Sequence, residues 1–104
     1  MMIKVSVMYP NSSDANFDIE YYCKTHIPMV KDLLDESLKS CHVDSGLAGG
    51  APGEMAPFIA IGHLIFDSVD SFQNSFGPHA EKIMADIPNY TNTQPQIQIS
   101  EIKL

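Results

Sequence analysis

The chain has 104 residues, 44% of them hydrophobic and 18% charged, a balance that excludes disorder and allows one domain with one core. Six Lys and Arg stand against 13 Asp and Glu, a formal charge of −7. A phosphate backbone repels such a surface and no basic run reverses it locally, so nucleic acid is excluded as an expected partner.

Ile3 to Tyr9 alternates β-branched with other residues and reads as a strand ended by Pro10. Asn11 to Asn16 is a turn-rich loop. The period then changes: Phe17, Tyr21, Tyr22, His26, Ile27, Val30 and Leu34 fall on one helical face, with Asp18 and Glu20 in the first turn. Pro28 sits inside this helix, where it removes an amide donor and meets the carbonyl of Lys24, so the spacing predicts a kink or a change of helix type near Thr25–Pro28.

Leu38 to Ser45 reads as a second strand, and Gly46 to Pro57 as a loop rich in Gly, Ala and Pro. Phe58 to Phe66, apolar at nearly every position, reads as a central strand. It is also the longest apolar stretch, far short of the ~20 residues that span a bilayer, so no membrane partner is expected. Asp67 or Ser68 caps a second helix with Val69, Phe72 and Phe76 on its inner face. Gly77-Pro78 interrupts it, Ala80 to Ile87 continues it, and Pro88 ends it. Gln96 to Lys103 is the last strand.

Strand, helix, strand, strand, helix, strand, with two right-handed crossovers, gives an α+β, ferredoxin-like βαββαβ domain over residues 1–104: a four-stranded antiparallel sheet with both helices on one face. The other face, on the order of 400 Å², has no helix of its own. It is expected to be apolar and to pair with a second copy through sheet faces, making a homodimer. The N-terminal Met1-Met2-Ile3-Lys4 has none of the features of a signal peptide, so a cytoplasmic location with Cys23 and Cys41 as reduced thiols is expected.

Phe17, Tyr21-Tyr22 and Thr25-His26-Ile27-Pro28-Met29-Val30 resemble the first helix of the EthD family. Met84 to Asn92, followed by Pro95 and Gln96-Ile97-Gln98-Ile99-Ser100-Glu101, resembles that family's closing motif. The resemblance covers essentially the whole chain. It implies a dimeric α+β barrel, in a superfamily that includes monooxygenases, lactone isomerases, polyketide cyclases and haem-degrading enzymes. The family is named for a role in ether degradation. Related cyclases place a catalytic histidine in the general region of His79.

His26 is the first candidate for chemistry, because a neutral imidazole accepts a proton near pH 7. Tyr22 lies four residues before it on the same face, within reach of one ligand. The plainer alternative is a core-edge histidine bonding a carbonyl freed by Pro28. His63, mid-strand beside Gly62, needs a partner, a water or a cavity, and the contact between two copies could supply one. His79 follows the Gly77-Pro78 break, and His42 lies on an edge-like strand where solvation is the simpler reading. Asp86, Asn89, Tyr90 and Thr91 read mainly as a proline turn packed back onto the body.

No His-x-His or His-x₃-His spacing occurs, so no metal is expected. No dinucleotide or Walker loop and no Gly-x-Ser-x-Gly is present, so no nucleotide cofactor is expected either. The expected function is a small cofactor-independent enzyme acting on an apolar, oxygen-containing molecule held between helices and sheet, by isomerisation, cyclisation, dehydration or oxygen insertion. His26 would be acid or base, Tyr22 a donor to developing oxyanion charge, and His63 or His79 a further polar group. The alternative is a non-catalytic dimer that binds a hydrophobic metabolite or partners a redox enzyme.

Overall fold

A computed structural model describes all 104 residues. Strands β1 (Ile3–Pro10), β2 (Ser40–Ser45), β3 (Phe58–Phe66) and β4 (Gln96–Glu101) form one antiparallel sheet in the order β2-β3-β1-β4. Register decides which side chains face the helices. Ile3, Val5, Val7 and Tyr9 of β1 sit opposite Phe66, Leu64, Gly62 and Ala60 of β3, and their odd-numbered side of β1 makes the core.

The first helical stretch comprises α1 (Ile19–Tyr21), a π-helical turn (Tyr22–His26) and α2 (Ile27–Leu34). Asp18 caps it, its carboxylate accepting from the Tyr21 amide at 3.1 Å. The change of helix type predicted from Pro28 is this π turn. The Ile27 amide reaches back five residues to the Tyr22 carbonyl, and the wider turn leaves room where the pyrrolidine ring would otherwise strike the preceding turn. Asp35 stops α2 with a φ of 49°. A 3₁₀ turn (Asp35–Ser37) follows, so β2 starts at Ser40 rather than Leu38.

The second helical stretch runs α3 (Val69–Phe76), a 3₁₀ turn (Gly77–His79) and α4 (Ala80–Ala85), then a 3₁₀ turn (Ile87–Asn89) that contains Pro88. Ser68 is the cap, its Oγ accepting from the Ser71 amide at 3.0 Å. β4 stops at Glu101, two residues before Lys103.

Both helical stretches cover the same face, as expected of the βαββαβ order. The expectation of an apolar second face needs correction. Met8 pairs with Ile61, and Ile65 lies on the same face, but the register sets the polar row His42, His63, Ser6 and Gln98 between them, with Lys4, Ser100, Gln96 and Asp44 alongside. The molecule is consequently thin, 40 × 33 × 19 Å, and only 16 of its residues are buried. Its accessible surface is 6309 Å². A monomer of this mass usually exposes roughly 5,800 Å².

Candidate functional site

Two segments far apart in sequence meet at one end of the helical layer. The first is the π turn, which carries Tyr22 and His26 inward. The second is the Asp86–Thr91 connection after α4. They are laced together by the loop before α1. The Asp18 amide donates to the Tyr90 carbonyl (2.7 Å), and Phe17 and Thr91 form an antiparallel bridge. The Thr91 hydroxyl donates to the Asn16 carbonyl at 2.7 Å, while the Asn92 side chain accepts from the Asn16 amide and donates to the Asp14 carbonyl.

This lacing brings Asp86 onto His26. The imidazole Nδ1 lies 2.9 Å from Asp86 Oδ2, and the other carboxylate oxygen accepts from the Tyr21 hydroxyl (2.8 Å) and the Asn89 amide (2.9 Å). Burial works against the Asp86 charge, but the donors Asn89, His26 and Tyr21 outweigh it and hold the carboxyl below its ordinary range. The bond to Asp86 raises the Tyr21 phenol above its ordinary range. For His26, burial is the larger influence: it pushes the imidazole below its ordinary value by more than Asp86 raises it. At neutral pH the pair is therefore a neutral imidazole and a carboxylate. That pairing assigns the ring proton to Nδ1 and leaves the Nε2 lone pair free on the other side of the ring.

Around the imidazole stands an aromatic box. Tyr22 stacks on His26 with centroids 5.4 Å apart and planes 13° from parallel, and Tyr90 lies 4.7 Å away at a tilt. Tyr9 bonds the Tyr90 hydroxyl at 2.7 Å, and Phe17 packs its edge against Tyr9 and Tyr22. Burial raises the Tyr9, Tyr22 and Tyr90 phenols, so all three remain protonated donors. Gly62 is the backbone position that admits this box: a Cβ there would collide with the Tyr22 hydroxyl. The close approach anticipated at this strand glycine is thus made by Tyr22.

His26, 4% exposed, and Tyr22, 2% exposed, form part of the wall of a cleft between the helices and the sheet. Its cavity volume is about 60 Å³, and 13 of its 15 lining residues are apolar, Val5, Leu64, Phe72 and Ile83 among them. It runs toward the β4 edge, where Ile97 and Met84 remain 49% and 39% exposed.

The other sequence candidates lie elsewhere. His63 is on the opposite face of the sheet, its Nε2 2.6 Å from Asp44 and its Nδ1 buried without a partner. His42 stands directly across from it, exposed on edge strand β2. His79 is half-buried in the 3₁₀ turn between α3 and α4 and does not line the cleft. No three His, Cys, Asp or Glu side chains come close enough to hold a metal ion, and both cysteines are free thiols. Asp86 and Tyr90 stand in the closing motif, but nothing along the sequence connects them with His26. Only their place in the closing motif could have suggested it, because no periodicity links positions 60 residues apart.

The EthD domain matches residues 10–94, a span that holds the π turn, the lacing loop and the Asp86–Thr91 connection. The chain belongs to the EthD family. Its fold is close to that of an EthD-like protein from Ralstonia eutropha JMP134, with a TM-score of 0.95 and 44% identity over 99% of this chain and 93% of that one. An EthD family protein from Bacillus halodurans C-125 superposes with a TM-score of 0.75 at 20% identity, covering 99% of this chain and all (100%) of the other. A dimeric ferredoxin-like protein of unknown function from Thermobifida fusca YX shares the fold at 14% identity and a TM-score of 0.56, over 97% of this chain and 90% of that one. No curated protein matches this EthD domain.

Proposed function

We propose that this EthD protein is an acid–base enzyme that moves a proton on a small, largely apolar molecule bearing an oxygen function. The observation that carries the reading is an imidazole, oriented by a carboxylate, on the wall of a cleft that is otherwise almost entirely apolar. Nε2 of His26 takes the proton from a carbon next to a carbonyl. The Tyr22 hydroxyl donates to the oxygen that gains the charge, and the proton returns from His26 to the same or a neighbouring carbon. Isomerisation, cyclisation and dehydration share that step. Asp86 positions His26 and stabilises it while it carries the proton, as a buried carboxylate does for a catalytic imidazole.

The working unit in this reading is a homodimer paired through the open sheet faces. The apolar Met8, Ile61 and Ile65 on that face and the thinness of the single chain support it.

The test needs no knowledge of the natural substrate. Butanone is incubated in D₂O and exchange of the protons beside its carbonyl is followed by ¹H NMR. The wild type is expected to accelerate exchange, and His26→Gln to lose at least tenfold of that acceleration. Equal rates for the two proteins would overturn the reading.

A further inference from the structure

The surroundings of the cleft bear on the charge and size of what enters it, given the reading of His26 as a base. The buried chamber of about 60 Å³ holds about four water-sized groups, at ~15 Å³ each. A groove of about 370 Å³ adjoins it, sharing Met84, Ile87 and Pro95 with the chamber wall. The groove is lined beyond them by Thr91, Asn92, Thr93 and Gln94. Thr91 and Asn92 are committed to the lacing of the loop before α1. The Thr93 hydroxyl donates to Thr91 Oγ1 at 3.0 Å, since the Thr91 proton is spent on Asn16. The polar groups left to face a ligand are therefore the Gln94 amide and the Thr93 oxygen as an acceptor, both uncharged.

No Lys or Arg lines the chamber or the groove. The chain's formal charge is −7, and the Asp86 carboxylate stands directly behind the imidazole. A carboxylate or phosphate entering here gives up its water, finds no cation, and is repelled by the charge behind His26. A neutral amide or hydroxyl loses less and regains hydrogen bonds, in either direction at Gln94 and as a donor to the Thr93 oxygen.

We propose that the site selects uncharged molecules: a carbonyl-bearing end of about four heavy atoms enters the chamber, and a neutral polar group trails along Thr93 and Gln94. Ionised acids are excluded. The acetonyl end of 4-oxopentanamide has the required size, and its acid, 4-oxopentanoate, has the same shape and heavy-atom count but carries a charge.

The experiment titrates the full chain with each compound and follows backbone ¹H–¹⁵N resonances. The amide is expected to shift signals at Tyr22–Ile27 and Ile87–Ile97, with a Kd at least tenfold lower than that of the acid. Gln94→Lys, at an exposed position, is expected to narrow that gap at least threefold by supplying the missing cation. The proposal is overturned by equal or tighter binding of the acid, by shifts confined to other surfaces, by no binding of either, or by a gap that Gln94→Lys leaves unchanged. Preference for the amide without acceleration of butanone exchange would sink the acid–base reading and leave the charge selection standing.

Discussion

Gly62 and Tyr22 form a pair whose fit is measurable. A methyl group at position 62 collides with the Tyr22 hydroxyl, with no slack in a box already closed by Tyr9, Phe17 and Tyr90. Gly62→Ala is expected to destabilise the protein by about 1–3 kcal/mol, the usual cost of overpacking. Tyr22→Phe removes the oxygen in the way, so the double variant is expected to recover most of that loss in urea unfolding. Additive losses would show that the two residues do not touch in solution. A second residue-scale expectation concerns protons. His26 is held below its ordinary value of 6.5 and Asp86 below 3.8. In both cases the unfolded chain binds a proton more readily than the folded one, so stability rises with pH across each range. The urea midpoint is expected to fall as pH drops below about 6.5, and again below about 3.8. In His26→Gln the upper decline should flatten; a wild-type slope unchanged in the variant would show that His26 is not buried neutral.

At the scale of elements, the π turn is the piece on which the site depends. Its cause was legible: a proline ten residues into a helical face forces the backbone to give way somewhere upstream. What was not legible was the form of the distortion, because sequence spacing names a clash without naming how the turn widens. Pro28→Ala restores the missing donor and removes the ring. The first stretch is then free to close into continuous α-helix. Stability is expected to stay level or rise, by up to about 3 kcal/mol. The Tyr22–His26 stack rotates off its present 13° geometry, and exchange activity falls at least tenfold. Retained activity in a more stable Pro28→Ala would show that the turn serves packing alone. Asp86 marks the boundary of sequence reasoning from the other side. Along the chain, Asp86 and Asn89 bracketing a proline turn look structural. Only the bonds from Asn16, Asp18 and Thr91 bring that turn against the first helix, and such bonds leave no pattern along the chain. The strands were easier to read, since alternation in β1 and the apolar run of β3 record their burial directly. The composition of the open face is not legible in the same way, because one apolar strand says nothing of the Ser, Gln and Lys that register sets beside it.

Across the whole molecule, thinness is the property to explain. One sheet layer and one helical layer bury few residues, and the face without helices mixes Met8, Ile61 and Ile65 with polar side chains. Light scattering is expected to give twice the 11.5 kDa chain mass. Ile61→Glu, which puts a charge on a central strand of that face, is expected to give the single-chain mass with the fold retained by circular dichroism. A wild type already at the single-chain mass would remove the dimer from the account.

The aromatic box has a practical consequence. The chain contains no tryptophan and four tyrosines, and all four, at positions 9, 21, 22 and 90, stand within the network around His26. Ultraviolet emission from this protein therefore originates wholly at one address. Any guest that settles beside the imidazole, or any loosening of the knot that holds the two segments together, changes the glow of the native chain with no dye attached.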